Sequence, residues 1–229
     1  MIRAPTGCQE PTLTDPTVLI VPGAGVHGYA RPAVDALRAR GVEAELLAAP
    51  GSPGGPSDLS RYGAQLAERM AARDPVDLLV GLSVGAQAAA LAAAALPSTQ
   101  LRRLALVSPT VDPAARTARR LIGRWLAAGR REPPGLLATQ APDWRIAGAW
   151  RLVRVVRSAL RVRIEDVVGR VAAEVTVVHG EDDAVTSHAY AAALAADLEG
   201  RLVVVPGATH SWPYADADRF AATLIGLLP

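Results

Sequence analysis

The stretch Val76-Asp77-Leu78-Leu79-Val80-Gly81-Leu82-Ser83-Val84-Gly85-Ala86-Gln87 decides the fold. Pro75 to Val80 reads as a short strand of the fully buried kind, and Val84 to Leu96 is apolar on every face, as a helix packed in the centre of a domain is. Between them lies G-x-S-x-G. A serine at such a strand-to-helix turn sits on strained backbone with its hydroxyl projecting out of the sheet, while Gly81 and Gly85 remove side chains that would collide there. In a chain with 20 Gly and 50% hydrophobic residues, a plain Gly-Ser turn is the competing reading. The strand before it and the helix after it favour a nucleophile elbow.

Outward from this point, strand-like runs bounded by Gly or Pro recur at Thr17 to Val21, Val42 to Leu47, Leu104 to Val107, Val175 to Val178 and Leu202 to Val205. Helical segments fall between most of them, at Arg31 to Arg40, Leu59 to Arg73, Ser187 to Leu198 and Ala215 to Leu228. Near-continuously apolar strands alternating with helices predict an α/β protein with a mostly parallel, doubly wound sheet covered on both faces. Ligands of such sheets collect outside the carboxyl ends of the strands.

The segment 113–171 breaks the alternation, and we read it as an inserted helical cap on a core formed by 17–112 and 172–229. It carries three of the four Trp residues, and Arg130 to Gly135 marks a break between its helices. Arg151, Arg154, Arg157 and Arg161 recur at spacings of three and four and so share a helix face. The chain has no lysine, and between Thr110 and Arg170 it has 13 Arg against five acidic residues, although the whole chain carries only +2. Such a positive segment can attract an anionic substrate, a membrane surface or an acidic partner, or be no more than a solvated helix face.

A length of 229 residues fits one large domain or a domain with an insertion. No apolar run is long enough to span a membrane, and residues 1–16, read as a flexible leader, lack a basic segment followed by an apolar one. A cytoplasmic protein is expected, with a small-molecule substrate and no nucleic-acid partner. The single cysteine, Cys8, excludes an intrachain disulfide and reads as an incidental thiol. No Cys/His cluster has metal-ligand spacing, so no metal is expected. Pro22-Gly23-Ala24-Gly25 follows a strand as a dinucleotide loop would, but only two glycines of G-x-G-x-x-G fit before Gly28, and no cofactor is expected.

A serine hydroxyl attacks poorly at neutral pH unless a base takes its proton and a carboxylate orients that base. Of His27, His179, His188 and His210, the last is favoured because it lies in a loop between the last strand and the last helix. His179 ends a strand, and His188 sits early in a helix. For the carboxylate, Glu181-Asp182-Asp183 follows a strand at the same sheet edge, with Asp183 preferred and Asp182 suited to a turn or N-cap. Asp112, after the strand next to the nucleophile strand, is a second candidate.

Taken together, strand-Gly81-Leu82-Ser83-Val84-Gly85-helix, Gly180-Glu181-Asp182-Asp183 and Gly207-Ala208-Thr209-His210 resemble the α/β-hydrolase fold superfamily, including its Ser, Asp, His chain order. The resemblance runs from about Thr17 to the C-terminus but leaves the cap unmatched. It implies Ser83 as nucleophile, His210 as base and Asp183, third after the strand-end glycine, as orienting acid. It also implies an oxyanion loop at Val21-Pro22-Gly23-Ala24-Gly25, with proline where the usual histidine stands. The donors would be the N–H groups of Val84, at a helix N-terminus, and of Ala24 or its neighbour Gly25. Gly25, His27, Leu82 and Trp212 flank these groups and are expected to line the substrate pocket, with a core role for Trp212 as the alternative. The activity implied is serine-dependent cleavage of an ester, thioester or lactone through an acyl-enzyme. Carbon-carbon hydrolysis, lyase or cyclase chemistry, or ligand binding alone on the same fold, is the alternative.

Overall fold

The structure, a computed structural model, describes residues 16–229. Cys8 and all but the last residue of the leader fall outside them.

Six strands, β1 (Thr17–Val21), β2 (Glu43–Leu46), β3 (Val76–Leu82), β4 (Leu101–Val107), β5 (Glu174–Gly180) and β6 (Arg201–Val205), form one sheet in the order β2-β1-β3-β4-β5-β6. Every pairing is parallel. The helices of the α/β core are α1 (Arg31–Arg38), α2 (Leu59–Ala71), α3 (Val84–Ala93), α7 (His188–Asp197), α8 (Trp212–Ala215) and α9 (Ala217–Ile225). Between β4 and β5 the chain forms α4 (Ala118–Ala128), α5 (Leu136–Ala147) and α6 (Ala149–Ala159).

Alternation along each strand divides the interior into two cores. Leu19, Val21 and Leu79 point to the face covered by α2, α3 and α7, and Val18, Ile20, Leu78 and Val80 to the face covered by α1, α8 and α9. The low polarity of α3 follows from its position, because nine of its ten residues are buried between sheet and neighbouring helices. Alanine is suited here: it has the best helix propensity and lets α2 and α3 approach closely.

The last predicted helix, Ala215 to Leu228, forms as α9, and the short α8 precedes it. Asp216 separates the two with its backbone at φ −143°, and its carboxylate accepts from Arg219 N to cap α9. Trp212, buried in α8, rests edge-on against Phe220 with ring centroids 4.9 Å apart.

Candidate active site

The β3–α3 junction places Ser83 at φ 54° and ψ −117°, a conformation non-glycine residues seldom adopt. Its two glycines are required by contact. A Cβ on Gly81 would lie 2.5 Å from Ala86 Cα, and one on Gly85 would lie 2.3 Å from the carbonyl oxygen of Val21. The Ser83 N–H donates to Val107 O at 2.9 Å, pinning the turn to β4, and its hydroxyl caps no helix amide.

That hydroxyl lies 2.9 Å from His210 Nε2, and His210 Nδ1 lies 2.9 Å from Asp183 Oδ2. The carboxylate is held in turn by the N–H groups of Val185 and Thr186, at 2.8 and 3.0 Å. Thr186 Oγ1 donates to the carbonyls of Ser108 and Pro109, tying the acid loop to the end of β4. The His210 loop is fastened to the acid loop at the other side: Asp182 N donates to Ala208 O and Gly207 N to Glu181 Oε2. Asp182 therefore makes a loop-to-loop bond, while Ser187 caps α7.

The electrostatics fit this arrangement. Burial alone would raise Asp183, but the His210 charge and hydrogen bond and the two loop amides hold it below the ordinary carboxylate range. Burial alone would lower His210, and Asp183, with a smaller contribution from Glu132, lifts it above the ordinary imidazole value. With Asp183 ionised, Nδ1 carries the proton and Nε2 offers its lone pair to the serine hydroxyl.

The other candidates are engaged elsewhere. Asp112 pairs with Arg124 Nη1 at 2.6 Å and caps the turn at Ala114, so it anchors α4 to the sheet and makes no bond to His210. His179 is buried beside His188, 5.5 Å between ring centroids, and burial lowers its pKa below the ordinary imidazole value.

Ala24 and Val84 both border the Ser83 cavity. Neither N–H has a protein acceptor among the described residues, whereas Gly25 N donates to Pro50 O at 2.7 Å. Of the two neighbours, Ala24 is the one with a donor to spare.

The cavity over Ser83 has a volume of about 260 Å³ and is walled mainly by apolar side chains, among them Leu82, Val107, Leu121, Trp144, Leu152 and Val156. A second cavity of about 370 Å³ adjoins it and shares Trp125, Gln140, Val185, His210 and Ser211. Leu82 lines the first cavity. Three expected positions do not line either cavity. Gly25 backs onto α5 and α6, where a Cβ would lie 2.4 Å from Leu152 Cδ2. His27 turns to Arg31 and Asp143, and Trp212 belongs to the core against Phe220. The anionic substrate offered as one partner for the arginine-rich segment has no counterpart in the walls: no arginine borders either cavity, and Glu132 is the carboxylate at the second.

Several contributors were not legible in the sequence because they come from the insertion. Asp143 Oδ2 accepts from His27 N at 3.0 Å and Gly28 N at 2.8 Å, and Trp144 Nε1 donates to Ala24 O at 3.1 Å. Glu132 Oε2 accepts from Thr209 Oγ1 and from Ser211 N, on both sides of His210. The insertion thus grips the loop containing Ala24 at one end and the His210 loop at the other.

A family model described as "Alpha/beta hydrolase family" matches residues 18–223. The chain belongs to the α/β hydrolase family. Solved structures share the fold across nearly all of it. A hydrolase from Pseudomonas aeruginosa PA01 is 20% identical with a TM-score of 0.70, covering 93% of this chain and 89% of that one. A bromoperoxidase from Bacillus anthracis is 14% identical with a TM-score of 0.75, covering 93% and 92%. An enol-lactonase from Burkholderia xenovorans LB400 is 15% identical with a TM-score of 0.69, covering 95% and 93%. No curated protein matches this α/β hydrolase in sequence.

Proposed function

We propose that this α/β hydrolase is a serine esterase acting on an uncharged small molecule, cleaving an ester, thioester or lactone through an acyl-enzyme. The observation that carries this reading is the connected relay from Ser83 Oγ through His210 to Asp183, with both links at 2.9 Å, opening into a largely apolar cavity.

In the first half-reaction Ser83 Oγ attacks the carbonyl carbon as its proton passes to His210 Nε2. Ionised Asp183 keeps the remaining ring proton on Nδ1 and stabilises the imidazolium. The carbonyl oxygen becomes an oxyanion held by the N–H groups of Ala24 and Val84, each worth roughly 3 kcal/mol at a preorganised site. Collapse expels the alcohol or thiol, which takes the proton from Nε2. Water then repeats the sequence on the acyl-enzyme, with His210 removing its proton and Ser83 leaving. The apolar walls favour a neutral acyl group, and the adjoining cavity, which shares His210, offers room for the leaving group. The helical insertion acts as the cap of this chamber.

A fluorophosphonate probe should label the folded protein at Ser83, and Ser83→Ala should abolish labelling and lower turnover of a p-nitrophenyl ester series by about a million-fold. No labelling of the folded native protein would overturn the reading. Product analysis on the same series separates ester hydrolysis from lyase or cyclase chemistry.

A further inference from the structure

The insertion has a second unusual property besides its charge. Among the described residues, every exposed large hydrophobic side chain except Val204 lies on α4, α5 or α6. Ile122, Trp125, Leu126 and Leu137 are exposed and also border the two cavities, so they form an apolar rim around the site's entrance. Ile146 and Trp150, each 67% exposed, extend the apolar surface across the α5–α6 junction. Leaving this many large side chains in water is uncommon on a surface that has no partner.

The same helices carry the arginines. On α4, Arg119, Ile122 and Leu126 follow one another at spacings of three and four, and on α6 Trp150 is followed at the same spacings by Arg154 and Arg157. Of the insertion's arginines, only Arg116, Arg124 and Arg161 are ion-paired among the described residues. None borders a cavity, so these cations do not serve the substrate site. Apolar side chains with Trp among them, flanked by unpaired arginines, are what an interfacial helix presents to lipid headgroups. A second copy of this chain would bring an equally cationic face against it, which charge repulsion opposes. No described helix is long and apolar enough to cross a membrane, so the contact would lie along the surface.

We propose that α4, α5 and α6 form a docking surface for an anionic lipid bilayer, with the cavity entrance opening onto it. Ile122, Leu126, Ile146 and Trp150 enter the headgroup boundary, and Arg119, Arg154 and Arg157 meet lipid phosphates. This surface is independent of the catalytic reading, because binding can be measured without turnover.

The test is co-sedimentation of the native protein with vesicles of phosphatidylcholine alone and of phosphatidylcholine containing about one phosphatidylglycerol in three. Binding should appear on the mixed vesicles, fall as salt is raised, and be near background on the neutral ones. Each of Arg154→Gln and Arg157→Gln should weaken it about fivefold, and Trp150→Ser about tenfold, with unchanged circular dichroism and melting temperature in all three. Arg119→Gln, on a different helix, should repeat the arginine result. Absence of binding to the mixed vesicles at low salt would overturn the proposal, as would equal binding to both compositions. Self-association lost in Trp150→Ser, without vesicle binding, would assign the face to a second copy and equally overturn it.

Discussion

The sheet-borne half of the site and the helical insertion wall the same cavity under opposite constraints. At the β3–α3 junction there is no free volume: Cβ atoms on Gly81 and Gly85 would lie 2.5 and 2.3 Å from backbone atoms. In the insertion, a Cβ on Gly123 or Gly169 would meet nothing within 4 Å. The junction is fixed by close backbone approach, which allows few residue types at each position. The insertion is fixed by a few long polar side chains and by the burial of Val155, Ala159 and Ile164 in the core, while its outer faces meet open space, so the composition of those faces is free to answer to something outside the chain. Chemistry is thus assigned to the rigid half and access to the permissive half.

The largest expected effect falls on the rigid half. Asp183→Asn leaves the shape nearly intact but lets Asn donate where Nδ1–H must donate, so the imidazole takes the wrong tautomer. Turnover of an ester substrate should fall about ten-thousand-fold, as in other Ser-His-Asp relays, with melting temperature little changed. A loss under tenfold would mean that the carboxylate does not orient His210, and the contrast between the two halves would lose its functional side.

Stability should separate the halves by sign. Gly85→Ala drives a methyl group into Val21 O and Pro22 O and should cost about 3 kcal/mol, read as a lower denaturant midpoint. Gly123→Ala, at a surface site in the middle of α4 with open space around it, should instead stabilise by about 1 kcal/mol, since glycine is the poorer helix former. If both substitutions destabilise, the insertion is packed more tightly than its contacts indicate.

The same contrast explains what could be read from the chain. Gly81, Ser83 and Gly85 lie within a single strand-to-helix turn, so their spacing between a buried strand and an apolar helix carried the elbow, and the apolar strands around them carried a parallel sheet. The acid loop could be narrowed to Glu181-Asp182-Asp183 by position after β5, yet choosing among them relied on resemblance, since hydrogen bonding to His210 is a matter of three dimensions. Glu132 and Asp143 left no local signal. Each meets its loop across 77 residues or more, Asp143 at Gly28 across 115, and a lone acid in a helical segment reads as solvated surface. Trp212 and His27 turn away for a related reason: nearness in sequence to His210 and to the loop of Ala24 and Gly25 says nothing about which way a side chain points when the chain bends between them.

Glu132 offers the finest test of how far the permissive half reaches into the chemistry. It accepts from Thr209 Oγ1 and Ser211 N, so it holds the His210 loop, and its negative charge is the smallest of the influences that raise His210. Glu132→Gln keeps an acceptor oxygen for both bonds and removes the charge. The base must be neutral to take the serine proton, so kcat/KM rises with pH through the His210 titration. Removing an influence that raises that pKa moves the acid limb to lower pH, while the plateau at high pH stays near the native value. Glu132→Ala removes the bonds as well, and it should lower the plateau in addition to shifting the limb. A limb that stays in place in Glu132→Gln would show that Glu132 acts on the loop through hydrogen bonding alone, and equal plateaus in the two variants would show that it does not hold the loop.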